Sequence, residues 1–397
     1  MIESKQVLSI KMKRTFKYKL KPTVKQQQQL LQTFGCTRFI YNWGLEKKTK
    51  AWTNEHKTLS YFELAKELTL LKQNEEYQWL KDVPNECLQQ SLRNLENAYT
   101  QFFKAHKGFP KFKSKKCSKN SAKYLNAVYF DFDNWKVRIP KCGWVKLCKN
   151  KPFDTTSMKQ GTLTVTMDKC GEYWCAIVVE DNEPTKLKAK VSDETAVGID
   201  LGIKQFAILS DGAKFDNPKY YEKAQRKLRV LQRKFARTKK DSKRHEAAKL
   251  KVARQYRKVV NKRLDFLHKL STYITGHYGT ICLENLNVEG MMKNHHLAKS
   301  IQSASWSEFV RQLNYKAEWN GKSVVYIGRF EPSSKTCSEC GYVNKELKLS
   351  DREWVCPQCG AELDRDVNAA INIKRFALHP QALVAFEVKA EGITAHG

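Results

Sequence analysis

One acidic residue in this chain stands where an acid is strongly disfavoured. Asp200 lies inside 196–209, an otherwise apolar run that reads as a buried strand, a tight reversal near Gly202 and a second strand. A buried carboxylate is unfavourable unless it is paired or binds a metal. Asp200 therefore calls for a partner, and much of the remaining chain can be read as supplying one. A strand-end Asp that caps a turn is the plainer alternative, and this stretch alone does not choose between the two.

Two later acids offer themselves. Glu284 closes the short apolar stretch 279–284, a buried strand. Asp366 falls in the first turn of a helix beginning Asp364-Arg-Asp-Val-Asn-Ala-Ala370, where Asp364 itself reads as the N-cap. Separated acids on neighbouring strand ends and a helix tip are how an RNase H-like sheet holds a two-metal Mg²⁺ site for phosphodiester chemistry. No Ser/His/Asp or Cys/His arrangement competes. Gly198-x-x-x-Gly202 lacks the Gly-Lys-Ser/Thr that a phosphate-binding loop requires. His295-His296 reads as a surface pair.

A second metal signal is independent of the first. Cys337-x2-Cys340 and Cys356-x2-Cys359 are separated by fifteen residues, the spacing of a tetrathiolate zinc ribbon. Gly341 and Gly360 follow the second Cys of each pair and relieve the turn. Four thiolates fill every position on zinc, so the predicted role is structural. The other eight of the twelve Cys are scattered without a pairing pattern, which fits a reducing cytosol.

Charge narrows the partner. The chain has 72 Lys and Arg against 41 Asp and Glu, a net +31, far beyond what solubility needs; a long anionic partner, nucleic acid, accounts for it. The densest stretch, 219–263, carries 19 basic residues against three acids and reads as a helical hairpin with apolar inner stripes and basic outer faces that grip a nucleic-acid backbone. At Lys107-Gly-Phe-Pro-Lys-Phe-Lys-Ser-Lys-Lys116, lysines alternate with aromatics able to stack bases. No apolar run approaches the roughly 18 residues of a membrane span, and the N-terminus has no secretion signal.

The remaining pattern gives the organisation. With 397 residues, more than one core is expected. Residues 12–20 read as a strand with one basic face. Helices are predicted at 24–32, with Gly35 as the stop, then at 38–52, 61–73 and 84–106, their apolar stripes forming core. Two hairpins between 122 and 180 imply a small antiparallel barrel, which the first strand completes with the helices as an insertion. Residues 181–192 read as a linker, 285–299 as a turn and mobile segment, and 304–319 as a helix.

With these residues in place, the chain resembles the TnpB proteins of bacterial and archaeal insertion sequences, relatives of type V CRISPR effectors. The resemblance spans nearly the whole length. It is carried by Phe16-Lys-Tyr-Lys-Leu-Lys-Pro22, Lys107-Gly-Phe-Pro-Lys-Phe-Lys113, Gly198-Ile-Asp-Leu-Gly202, Leu283-Glu-Asn-Leu286, Ser333-Ser-Lys-Thr-Cys-Ser-Glu-Cys-Gly341 and Asp364-Arg-Asp-Val-Asn-Ala-Ala370. It implies an α+β multidomain protein: a wedge-type antiparallel β-barrel (1–20 and 107–192) with a helical recognition insert (21–106). An RNase H-like RuvC α/β domain (193–330 and 364–378) follows, interrupted by a zinc module (331–363), and then a tail (379–397). It implies an RNA-guided DNA endonuclease with catalytic Asp200, Glu284 and Asp366 on Mg²⁺. Its partners would be a guide RNA from the transposon end and target duplex DNA, met by one chain per RNA in the prokaryotic cytoplasm at the nucleoid. A guide-dependent repressor without cleavage, or a transposase, are the alternatives; transposases on this fold usually order their acids Asp-Asp-Glu.

Overall fold

The computed structural model describes residues 11–184, 191–329, 331–348 and 350–379. The first ten residues, most of the tail and 185–190 of the expected linker lie outside these, as do the side chains of His295 and His296. The chain forms two units, divided after Pro184.

In the first unit, strand β1 (Lys11–Lys21) is followed by helices α1 (Val24–Glu55), α2 (Tyr61–Leu71) and α3 (Asn85–Ala105), with a 3-10 turn at Glu75–Asp82. Strands β2 (Asn120–Tyr124), β3 (Tyr129–Asp131), β4 (Lys136–Ile139), β5 (Gly143–Leu147), β6 (Met158–Met167) and β7 (Tyr173–Pro184) complete it. The seven strands form one antiparallel sheet in the order β2-β6-β7-β1-β5-β4-β3. The N-terminal strand thus lies in the middle, and α1–α3 are an insertion between β1 and β2. Alternate residues such as Tyr18, Val137, Val145, Val165 and Ile177 converge on one apolar core. Among the described residues no pairing joins β2 to β3, so the ladder itself is open.

Three sequence expectations change here. Helix α1 does not stop at Gly35. Thr23 and Gln26 form a capping box at its start, and it runs unbroken to His56, whose left-handed backbone (φ 51°) ends it. A helical Gly costs about 1 kcal/mol relative to Ala; Leu30, Phe34, Cys36, Ile40, Tyr41 and Leu45 are buried on both sides of it, each contributing roughly 1.5–3 kcal/mol. Burial therefore outweighs the breaker. The stripe on α3 is core only at first: Leu88, Leu92 and Leu95 are buried, but Phe103 is 67% exposed. Residues 181–184 are not linker but the end of β7, paired with the basic strand β1 as far as Pro184 opposite Lys11, and Asp181 there is ion-paired with Arg14 at 3.2 Å.

The second unit is built on strands β8 (Ala196–Leu201), β9 (Gln205–Leu209), β10 (Lys214–Asp216), β11 (Thr280–Glu284) and β12 (Ser323–Ile327), in the order β10-β9-β8-β11-β12. The first three are antiparallel neighbours; β11 runs parallel to β8, and β12 to β11. Helices α4 (Tyr220–Ala236), α5 (Lys243–His277), α6 (Val288–Met291), α7 (His295–Ala304) and α8 (Trp306–Trp319) connect them, followed by a small ribbon of β13 (Glu353–Val355) and β14 (Glu362–Asp364) and by α9 (Arg365–Leu378). Leu267, Leu270 and Ile274 of α5 and Phe309 and Leu313 of α8 share a core with Val197, Ile199, Ile281 and Leu283 of the sheet. Helix α9 adds Ile373 and Phe376 against Cys282 and Ile327. With helices supplying apolar side chains to successive strand residues, β8 and β11 can be apolar along their length.

The basic hairpin is real but larger than its sequence signature. Helix α5 continues well past Arg263, because its second half carries core residues while its first half is solvated and basic. Along α4 only Leu228 is buried. The segment 285–299 is not shapeless: α6 and the start of α7 occupy it, and Ser305 in a left-handed conformation (φ 57°) divides α7 from α8.

Candidate functional site

Strands β8 and β11 are adjacent and parallel, with Ile199 opposite Leu283. Asp200 and Glu284, one residue further along each, therefore emerge at the same edge of the sheet. Helix α9 packs against these strands and brings Asp366 there in its first turn. Asp200 feels both other acids: burial, then Glu284, then Asp366 push its carboxyl up to about 7, against the opposing pull of Arg365 and the Leu201 amide. Each of the three has a distinct surrounding. Ser333 Oγ donates to Glu284 Oε1 at 2.6 Å. Arg352 Nη1 lies 3.1 Å from both oxygens of Asp366.

Asp364 is separated from this group by its own bonds. Its Oδ1 accepts from the amides of Asp366 and Val367 at 3.0 Å, the N-cap that the sequence anticipates. Its other oxygen is paired with Lys214 Nζ at 2.5 Å. Although burial raises its pKa, these donors hold it below the usual carboxylate range.

The two glycines flanking Asp200 do a different job from making room for a ligand. A Cβ on Gly198 would lie 1.9 Å from the Ala370 carbonyl oxygen and 2.7 Å from Lys374 N, so its absence is what lets α9 close on β8. A Cβ on Gly202 would meet the Gln205 carbonyl oxygen at 2.6 Å, inside the β8–β9 reversal.

The Cys quartet is the one group of potential ligands among the described residues whose three or more donor atoms all lie within 4.8 Å of one another. Cys337 and Cys359 sulfurs are 3.7 Å apart, Cys340 and Cys356 sulfurs 3.6 Å. A tetrahedron with Zn–S bonds of about 2.3 Å has edges of about 3.8 Å, so the quartet fits a zinc-binding site. Gly341 (φ 82°) and Gly360 (φ 74°) adopt the left-handed turn that follows each Cys pair. Burial opposes ionisation of the Cys356 thiol, but the amides of Cys359 and Gln358 and the neighbouring thiols together bring it down to about 7. The oxygens of the three acids do not all lie within that 4.8 Å of one another.

Sequence reasoning missed the residues that join the two centres. Asn368 and Asn372, fully buried on α9, donate to the carbonyls of Ser333 and Thr336, and Asn368 Oδ1 accepts from the Ser338 amide at 2.8 Å. The first Cys loop is thereby fixed to the helix that carries Asp366. Arg352, Arg365 and Ser333 supply the polar surroundings of the acids. A buried Asn pair at i, i+4 beside two acids was the available signal.

The structure thus defines a mixed α/β protein with an acid cluster at one sheet edge and a zinc-ribbon-like module tied to it. Comparison with known proteins identifies its relatives. The family described as "Probable transposase" matches residues 176–295, "Cas12f1-like, TNB domain" matches 306–373, and "Helix-turn-helix domain" matches 12–57, where the structure has a strand and one unbroken helix. A Streptomyces pristinaespiralis protein named "Putative RNA-guided DNA endonuclease" is 38% identical over 91% of this chain and 88% of its own. "Putative RNA-guided DNA endonuclease InsQ" of Escherichia coli K12 is 32% identical over 90% of each. A Cas12f1–sgRNA–target DNA complex aligns over 92% of this chain and 99% of that one, at 13% identity and a TM-score of 0.49. The chain belongs to the TnpB family.

Proposed function

We propose that this chain is the RNA-guided DNA endonuclease of an insertion sequence, cleaving target DNA beside a short adjacent motif by Mg²⁺-dependent phosphodiester hydrolysis. The observation that carries the site is the convergence of Asp200, Glu284 and Asp366 at one sheet edge, where burial and then the two other acids raise the Asp200 carboxyl, a load that a cation would relieve. In this reading the second unit, with its strand order and α9, is the RNase H-like RuvC domain (193–330 and 364–378), interrupted by the zinc module (331–363). The sheet of the first unit is the wedge barrel, and its helices are the recognition insert.

Asp200, Glu284 and Asp366 would hold the magnesium. The chemistry that Mg²⁺ would supply there is a lowered pKa for a water nucleophile and charge neutralisation at the scissile phosphate. The chain's own groups prepare the acids. Arg365 favours the ionised form of Asp200. Ser333 fixes one oxygen of Glu284 and leaves the other for a ligand. Asp364, occupied as a cap and by Lys214, holds the helix start that positions Asp366. The zinc, closed to substrate by four thiolates, supplies rigidity rather than reaction chemistry.

The net +31 suits partners rich in phosphate. A guide RNA from the transposon end reads sequence by base pairing, while the protein holds backbone and the adjacent motif. One chain binds each RNA, in the prokaryotic cytoplasm at the nucleoid. The test is cleavage of a matched duplex by the RNA-loaded chain. Asp200→Ala, Glu284→Ala and Asp366→Ala abolish cutting and retain RNA and DNA binding, whereas Asp364→Asn, which keeps the cap oxygen, still cuts. Cutting by Asp366→Ala, or binding without cutting by the wild-type chain in Mg²⁺, refutes the assignment.

A further inference from the structure

Two of the acids at the sheet edge differ in what they leave open. Ser333 engages only Oε1 of Glu284, so its second oxygen is available to a ligand. Both oxygens of Asp366 are taken: Arg352 Nη1 lies 3.1 Å from Oδ1 and 3.1 Å from Oδ2. One donor nitrogen is thus equidistant from the two oxygens, where a cation chelated by a carboxylate sits. Arg352 makes no other side-chain bond among the described residues, and 56% of its side chain is exposed, so it has solvent to turn into.

The Cys module builds this placement. The Arg352 carbonyl accepts from the Arg365 amide at 2.8 Å, and the residues that follow pair across the ribbon, Glu353 opposite Asp364 and Val355 opposite Glu362. Asp364 is in turn the cap of α9, so backbone on both sides holds Arg352 against Asp366. Cys356 follows β13 directly, and its amide bonds to the Ala361 carbonyl at 2.9 Å. The Cys quartet therefore closes the ribbon that presents the guanidinium. An arginine keeps its charge at any working pH, so no proton loss opens the contact. Another cation competing for the carboxylate does.

We propose that Arg352 is an internal counter-ion that competes with magnesium for Asp366, so that the Cys module sets how much free Mg²⁺ the chain needs before its acid site loads. This deepens the function proposed above and rests on its metal site. The test is calorimetric titration of Mg²⁺ into the zinc-loaded full chain, with no nucleic acid present. The pair is partly exposed, between a surface ion pair and a buried charge-assisted bond, so Arg352→Gln should bind Mg²⁺ about tenfold more tightly. By reciprocity the same factor of about ten should be lost from this variant's folding equilibrium in metal-free buffer and regained at saturating Mg²⁺, which urea unfolding reads. Arg352→Lys keeps the charge but not the planar guanidinium, and its affinity should fall between those of wild type and the Gln variant. A Lys variant equal to wild type, beside a tighter Gln variant, would mean repulsion at a distance and overturns the competition. Equal affinity in all three chains overturns it too and leaves the metal site standing. No Mg²⁺ binding by any of the three refutes the metal site itself, and this proposal with it.

Discussion

Asp200→Asn isolates the electrostatic load on the sheet edge. The carboxyl is raised from 3.8 to about 7 by burial and by Glu284 and Asp366. At ~1.4 kcal/mol per unit, three units amount to ~4 kcal/mol. The sign follows from linkage. A carboxylate whose folded-state pKa is raised stabilises the fold fully below its unfolded pKa and loses that contribution as pH rises through the folded value. In zinc-loaded protein without magnesium, the wild-type chain should therefore lose stability between about pH 4 and pH 7 and level off above it. The neutral Asn has no such loss, so the variant should overtake wild type by up to ~4 kcal/mol at pH 8. Urea unfolding followed by fluorescence at a series of pH values reads the difference. Added Mg²⁺ should then raise the midpoint of wild type and not of the variant. Parallel pH curves, or a variant less stable than wild type at pH 8, would refute the idea that Asp200 carries unrelieved charge. Chelators are unsuitable here because they also strip the thiolates of zinc.

Three further outcomes follow from the geometry. Gly198→Ala drives a methyl to within 1.9 Å of the Ala370 carbonyl, so α9 must leave β8; a drop of at least about 3 kcal/mol in unfolding free energy is expected, with cleavage abolished as well. Cys356→Ser should abolish stoichiometric zinc and, by freeing the Ser333–Thr336 loop from Asn368 and Asn372, raise hydrogen exchange along α9 while RNA binding persists. Reversing the exposed Lys227, Arg229, Arg254 and Lys258 to Glu should flatten the salt dependence of nucleic-acid binding by about 0.9 for each duplex phosphate they neutralise, with no shift in melting temperature.

Much of this was legible in the sequence because the signals were local. A Cys-x2-Cys pair carries its own turn, and the following glycines take up the positive φ that turn needs. Alternation in β4 to β7 and the apolar run of β8 specify strands by period alone. Asp364 as a cap and Asp366 as its neighbour in the first turn were readable from a helix start. What failed was non-local. Gly35 looks like a stop until the burial on both sides of it is seen. Asp181 read as linker because its partner, Arg14, lies some 170 residues away. Nothing in the run around Gly198 announces that the Ala370 backbone closes on it, because that helix lies some 170 residues further along the chain.

The place of α9 in the chain also orders events during synthesis. Chains emerge from the ribosome N-terminal end first. The seven-stranded sheet, the basic hairpin and both strand-borne acids are all made before residue 366 leaves the exit tunnel. Until then Gly198 faces no helix, and the sheet edge holds two of its three carboxylates. A nascent chain stalled in the Cys module lacks the last of the three acids, so on the function proposed above the capacity to cut would arise only after the sheet of the first unit and the basic hairpin have been made.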